Sequence, residues 1–82
     1  MPEEDEANRL TVPYLRAWRI HFVLSQRELA KQAGITPGTV IRLERGERAN
    51  YLTIRKLAQG LGIPMQQLLS ENPAEKDLRG VA

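Results

Sequence analysis

The stretch Ser25–Gly46, SQRELAKQAGITPGTVIRLERG, leaves this chain few ways to fold, because its punctuation dictates two short helices joined by a tight turn. Ser25 and Glu28 form a Ser-x-x-Glu capping box, in which each side chain satisfies an orphan backbone donor at a helix start. Leu29, Ala30 and Ala33 then make a small apolar stripe beside the polar Arg27, Lys31 and Gln32. Gly34 ends that helix, since a residue without Cβ accepts the left-handed conformation common at helix C-termini, and Ile35 can plug the turn. Thr36 is a second N-cap, followed by Pro37 at the first helical position, where its missing N–H costs nothing. Val40 and Leu43 continue the apolar stripe, and Gly46 closes the second helix.

The rest of the chain supports this pair. Pro13 opens a first helix in YLRAWRIHFVL, with Leu15, Trp18 and Phe22 on one face and Arg16, Arg19 and His21 between them. Trp18, the only tryptophan, is expected in the core against helices 2 and 4. His21 reads as a helix-end residue suited to the dipole. A fourth helix is expected over about residues 51–61, where Ile54, Leu57, Ala58 and Leu61 share a face. Gly62 ends it, Ile63-Pro64 turns the chain, and Met65 to Leu69 makes a fifth helix whose Leu68 and Leu69 seal the core. Met65 and Leu69 are alternatively placed to meet a second subunit. The fold class is therefore all-α, a compact domain of five helices over residues 13–69. Residues 1–12 read as a disordered acidic arm and residues 70–82 as a mobile tail, with Asn72-Pro73-Ala74-Glu75 able to start one helical turn.

With 82 residues the chain holds one small core, to which a dimer would add stability. It has no cysteine and one histidine, so a disulfide framework, a thiol nucleophile and a histidine-built metal site all fall away. No metal, cofactor or small-molecule ligand is implied. No carboxylate pair, activated nucleophile or phosphate loop marks an enzyme, so no catalytic residue is assigned. Neither a bilayer-length apolar run nor a basic-then-apolar leader is present, so the expected location is the cytoplasm, with the nucleoid. The net charge of +2 conceals an uneven distribution. Residues 1–8 carry four acids (−4), whereas residues 9–69 carry ten Lys/Arg against Glu28, Glu44 and Glu47 (+7). The folded part is thus basic, as a phosphate-binding surface requires and as many solvated surfaces also are. The acidic arm is either a solubilising segment or a competitor for the basic face.

Gln26, Leu29-Ala30, Gly34-Ile35, Thr36, Thr39-Val40, Arg42-Leu43-Glu44 and Gly46, taken together, resemble the helix-turn-helix of phage-repressor-like, Cro-type regulators of the xenobiotic-response-element (XRE) family. The resemblance covers about residues 13–69. It implies a lambda-repressor-like domain with helices 2 and 3 as the helix-turn-helix, and a transcription regulator, such as a repressor, acting on double-stranded DNA. It also implies an ion pair between Arg19 and Glu44 that ties helix 1 to the end of the recognition helix. Val23 departs from the family pattern, which often has glycine there, and makes an apolar group with Ile20 and Phe22. Either the arm or tail covers that group or a subunit interface does.

In this motif one helix lies across the DNA backbone and the second, here about residues 37–45, enters the major groove. The resemblance makes Gln26 a phosphate contact at the start of helix 2 and Arg42 the leading base reader, with a fork suited to guanine O6 and N7. Thr39 can meet phosphate or base, and Thr36 caps the helix and can touch phosphate. Arg45, Arg48 and Asn50 line the groove exit as phosphate contacts, and Asn50 can also cap helix 4. Pro37 and Gly38 stand where relatives often carry long polar side chains, so direct readout is sparse. Gly38 instead admits a close backbone approach, or DNA shape carries specificity. One such helix makes few base contacts, which implies a homodimer on a palindromic operator with half-site centres about 34 to 36 Å apart. The alternative is a protein-interaction module, an antitoxin or cofactor type, using Ile20, Phe22 and Val23 to hold a protein partner.

Overall fold

The computed structural model describes residues 9–75. Five helices follow one another: α1 (Leu15–His21), α2 (Gln26–Ala33), α3 (Pro37–Glu44), α4 (Tyr51–Leu61) and α5 (Met65–Ser70). Each boundary of the α2–α3 pair follows its local chemistry. The Ser25 hydroxyl accepts from Glu28 N at 3.0 Å while Glu28 Oε1 accepts from Ser25 N at 2.8 Å. Gly34 takes φ 73°, which lets Gly34 N reach Lys31 O and Ile35 N reach Ala30 O, closing the last turn. Thr36 caps α3 through Thr39 N, and Asn50 caps α4 through Thr53 N at 2.9 Å.

The core is apolar throughout. Leu15, Leu29, Val40, Ile54, Leu57 and Leu68 are fully buried, one or more from every helix, and among the described residues no polar or charged residue is buried with them. Helix α2 packs closely on α4, and Gly60 makes that approach possible: a Cβ there would stand 2.9 Å from Ala33 Cα and N. Helix α1 packs against α3 and α5. Trp18 lies in the buried core with residues of α2 and α4, as its apolar position predicts. Its buried indole donates from Nε1 to Glu71 O at 2.9 Å, fastening the chain just beyond α5.

Three expectations change. Helix α1 begins at Leu15 rather than Pro13 and ends at His21, so Phe22 is its C-cap, half-exposed and stacked on Trp18 with ring centroids 6.0 Å apart. Val23 follows at φ 57°, and Val23 N to Ile20 O with Leu24 N to Arg19 O repeat the closure seen after α2. The acidic arm does not extend to residue 12. Leu10 and Ala49 form an antiparallel bridge with both N–H···O distances at 2.8 Å, and Val12 is 2% exposed. Residues 1–8, with the carboxylate run, lie outside the described residues. At the other end Pro73 is buried and Asn72 Oδ1 caps Ala74 N, so residues 71–75 belong to the body, and the rest of the expected tail lies outside the described residues. Leu69 and Met65 are half-buried against the core. Among the described residues no helix is long and apolar enough to cross a membrane.

Candidate nucleic-acid interface

Helix α3 buries Val40 and Leu43 and turns Pro37, Gly38 and Arg42 outward, with Arg45 exposed at its C-cap. At 100° per residue Gly38 lies between Arg42 and Arg45 on the helical wheel, so the middle of the outward face has no side chain. A Cβ there would meet only Arg42 Nη1, at 3.8 Å. The fold therefore places no demand for glycine at this position.

Two clefts flank this face. The first, between α1, the start of α2 and α3, is lined by Arg16, Arg19, Ser25, Gln26, Ile41, Glu44 and Arg45. At its floor Arg19 and Glu44 make a fork, Nε to Oε2 at 2.6 Å and Nη2 to Oε1 at 3.2 Å, with side chains only 14% and 7% exposed. Arg19 Nη1 also donates to Leu24 O at 2.9 Å, so one guanidinium ties α1, the following turn and the end of α3 together. Gln26 Nε2 donates to Glu44 Oε1 at 3.1 Å. The glutamine read as a phosphate contact is thus held by the same carboxylate, and its amide nitrogen carries a second hydrogen for an acceptor outside.

The second cleft is lined on α3 by Thr39, Arg42 and Leu43, on the following loop by Glu47, Arg48, Ala49 and Asn50, and by Arg9 and Thr53. Arg42 Nη2 donates to Thr39 Oγ1 at 3.3 Å, and Thr39 Oγ1 lies 2.9 Å from Thr36 Oγ1. Arg42 Nε stands 3.9 Å from Glu47 Oε1, with both side chains more than half exposed. So long and solvated a pair contributes little, and Arg42 can leave it at low cost.

Of the residues singled out in the sequence, Gln26 and Arg45 share the first cleft, and Thr39, Arg42, Arg48 and Asn50 share the second. Gly38 lies between them, and Thr36 is taken up in capping. Arg16 and Arg9, not among those residues, also line the clefts. Arg16 carried a signal, one helical turn before Arg19. Arg9 carried a weaker one, the strand-like Leu10-Thr11-Val12 that follows it. Among the described residues each cleft is lined by three arginines and one glutamate, an arrangement for anions. Glu28, at the exposed start of α2, has its carboxyl held below its ordinary range, first by the Ser25 backbone N–H and then by the Ser25 hydroxyl. Among the described residues no three His, Cys, Asp or Glu converge as a metal site would need.

A helix-turn-helix family model matches residues 15–68, from the first residue of α1 into α5. No curated protein and no solved structure matches the chain.

Proposed function

The chain belongs to the XRE-type helix-turn-helix family of DNA-binding regulators, and from that premise we propose a sequence-specific transcriptional regulator that acts as a homodimer on a palindromic operator. The observation that carries this reading is the outward face of α3 between two arginine-lined clefts, which matches a major groove bordered by two phosphate backbones. In this reading Arg42 is the base reader and Thr39 supports it, both as an acceptor for the guanidinium and through a methyl group that meets thymine. Gln26, Arg45, Arg48 and Asn50 hold phosphates and set the register, while Thr36 fixes the start of the reading helix. Glu44 orients Gln26 and Arg19 together, so the pair acts on α3 and on a phosphate contact at once.

Gly38 gives the reading its particular form. With no side chain between Arg42 and Arg45, the α3 backbone can approach the base edges, and part of the selectivity falls to DNA shape. A single eight-residue helix supplies few base contacts, which is the argument for two copies with half-site centres about 34 to 36 Å apart. Selection of bound duplexes from a random pool tests this directly. The expected product is an inverted repeat with one-turn spacing; recovery of no enriched sequence would reject sequence-specific binding.

Ile20, Phe22 and Val23 favour a second reading, a protein-interaction module, because they are 54%, 41% and 86% exposed as neighbours in the chain. A gel shift against genomic fragments in moderate salt separates the two, since a pure interaction module retains no specific fragment.

A further inference from the structure

We propose that Arg9 binds a DNA phosphate beside Arg48 and Asn50, held there by the Leu10–Ala49 bridge; the inference rests on the DNA reading and adds a contact from outside the helix-turn-helix. Arg9 precedes the first helix by six residues, outside the helix-turn-helix. The bridge directs it to the reading face. Leu10 N donates to Ala49 O and Ala49 N to Leu10 O, both at 2.8 Å, and the two buried residues Val12 and Ala49 anchor the paired segments in the core. The loop from α3 to α4 and residues 9–12 therefore move as one piece, and Arg9 enters the same cleft as Arg42 and Arg48.

The cleft's chemistry fits a phosphodiester. Arg9, Arg42 and Arg48 bring three guanidiniums to its lining. Guanidinium forks match phosphate oxygens in geometry and charge. Asn50 spends its Oδ1 on Thr53 N, which leaves its side-chain amide as a donor. The cleft also lies at the N-terminal end of the eleven-residue α4, whose dipole favours negative charge.

The test is the salt dependence of duplex binding by the full chain and four variants, on the selected operator and on random duplex. Each phosphate neutralised contributes about 0.9 to the slope of log K against log salt, or about 3.5-fold in affinity for a fourfold change in salt. Arg9→Ala is expected to flatten the slope by about 0.9 on both duplexes, with equal fold losses because a phosphate contact carries no sequence information. Leu10→Pro keeps the Arg9 charge and removes the N–H that Ala49 O accepts, so it should flatten the slope too while its circular dichroism stays helical. Arg55→Ala, exposed on α4 and in neither cleft, should leave the slope as it is. A wild-type slope for Arg9→Ala beside a flattened one for Arg48→Ala overturns the inference and keeps the DNA reading. A wild-type slope for Leu10→Pro beside a flattened one for Arg9→Ala overturns the positioning role of the bridge. No duplex binding by the unaltered chain overturns both readings.

Discussion

Helices α1, α2 and α4 end in the same hydrogen-bonded closure, with a residue just past the helix in the left-handed region: Val23, after the C-cap Phe22, at φ 57°, and the C-caps Gly34 at 73° and Gly62 at 73°. Two of the three positions carry the residue that tolerates this backbone, and the third carries a β-branched one. For an L-residue the left-handed conformation costs about 1 to 2 kcal/mol, from the clash of Cβ with the following carbonyl. Val23→Gly removes that cost and adds about 0.5 to 1 kcal/mol of backbone entropy lost on folding. The Val23 side chain is 86% exposed, so its truncation forfeits only a few tenths of a kcal/mol of burial. The net expectation is a stabilisation of about 0.5 to 1 kcal/mol, an increase in melting temperature of about 3 to 6 °C for a domain of this size. Trp18 is the only tryptophan and is buried, so its fluorescence in a urea titration reports the transition. Gly34→Val is the mirror experiment: a Cβ there meets nothing within 4 Å, so its loss in stability is conformational and of similar size. A midpoint for Val23→Gly equal to or below that of the unaltered chain would refute the argument.

Other expected outcomes follow from packing and from the charge fork. Gly60→Ala drives a Cβ to 2.9 Å from the Ala33 backbone and should destabilise by about 1 to 3 kcal/mol in the same titration. The same substitution at open Gly38 should stabilise, by about 0.5 to 1 kcal/mol; equal signs at the two sites would contradict the packing of α2 on α4. Glu44→Gln leaves the nearly buried Arg19 guanidinium without its counter-charge and should cost about 2 to 3 kcal/mol, with weaker DNA binding, and an unchanged melt would break the link from α1 to α3. The lowered carboxyl of Glu28 adds stability that is whole above the ordinary carboxylate range and is lost as pH falls through the native value. Glu28→Gln should therefore flatten part of the acid limb of a stability-against-pH curve; an identical limb would remove the capping box from that account.

The helix-turn-helix was legible because its information is local. Ser25 with Glu28, Gly34, Thr36 with Pro37, and Asn50 each act within four residues, and each stands at the boundary its chemistry predicts. The end of α1 was hidden because Val23 occupies the position where glycine would have announced it, and the apolar spacing then ran on to Phe22. Residues 9–12 were absorbed into the acidic arm because their partner, Ala49, is nearly forty residues away. Arg9 was lost with them. Gln26 was assigned outward from the motif alone, and its bond to Glu44 appears only when α2 and α3 are packed. The indole of Trp18 likewise finds Glu71 across 53 residues.

The central claim is that the outward face of α3 reads bases through Arg42. The most direct measurement is the affinity of the unaltered chain and of Arg42→Ala for the duplex selected from a random pool, beside their affinities for random duplex at the same salt. A base-reading Arg42 entails a loss of about 1 to 3 kcal/mol on the selected duplex, a smaller loss on random duplex, and relaxed preference at one base pair. Equal losses on the two duplexes would contradict it, leaving Arg42 as one more phosphate contact.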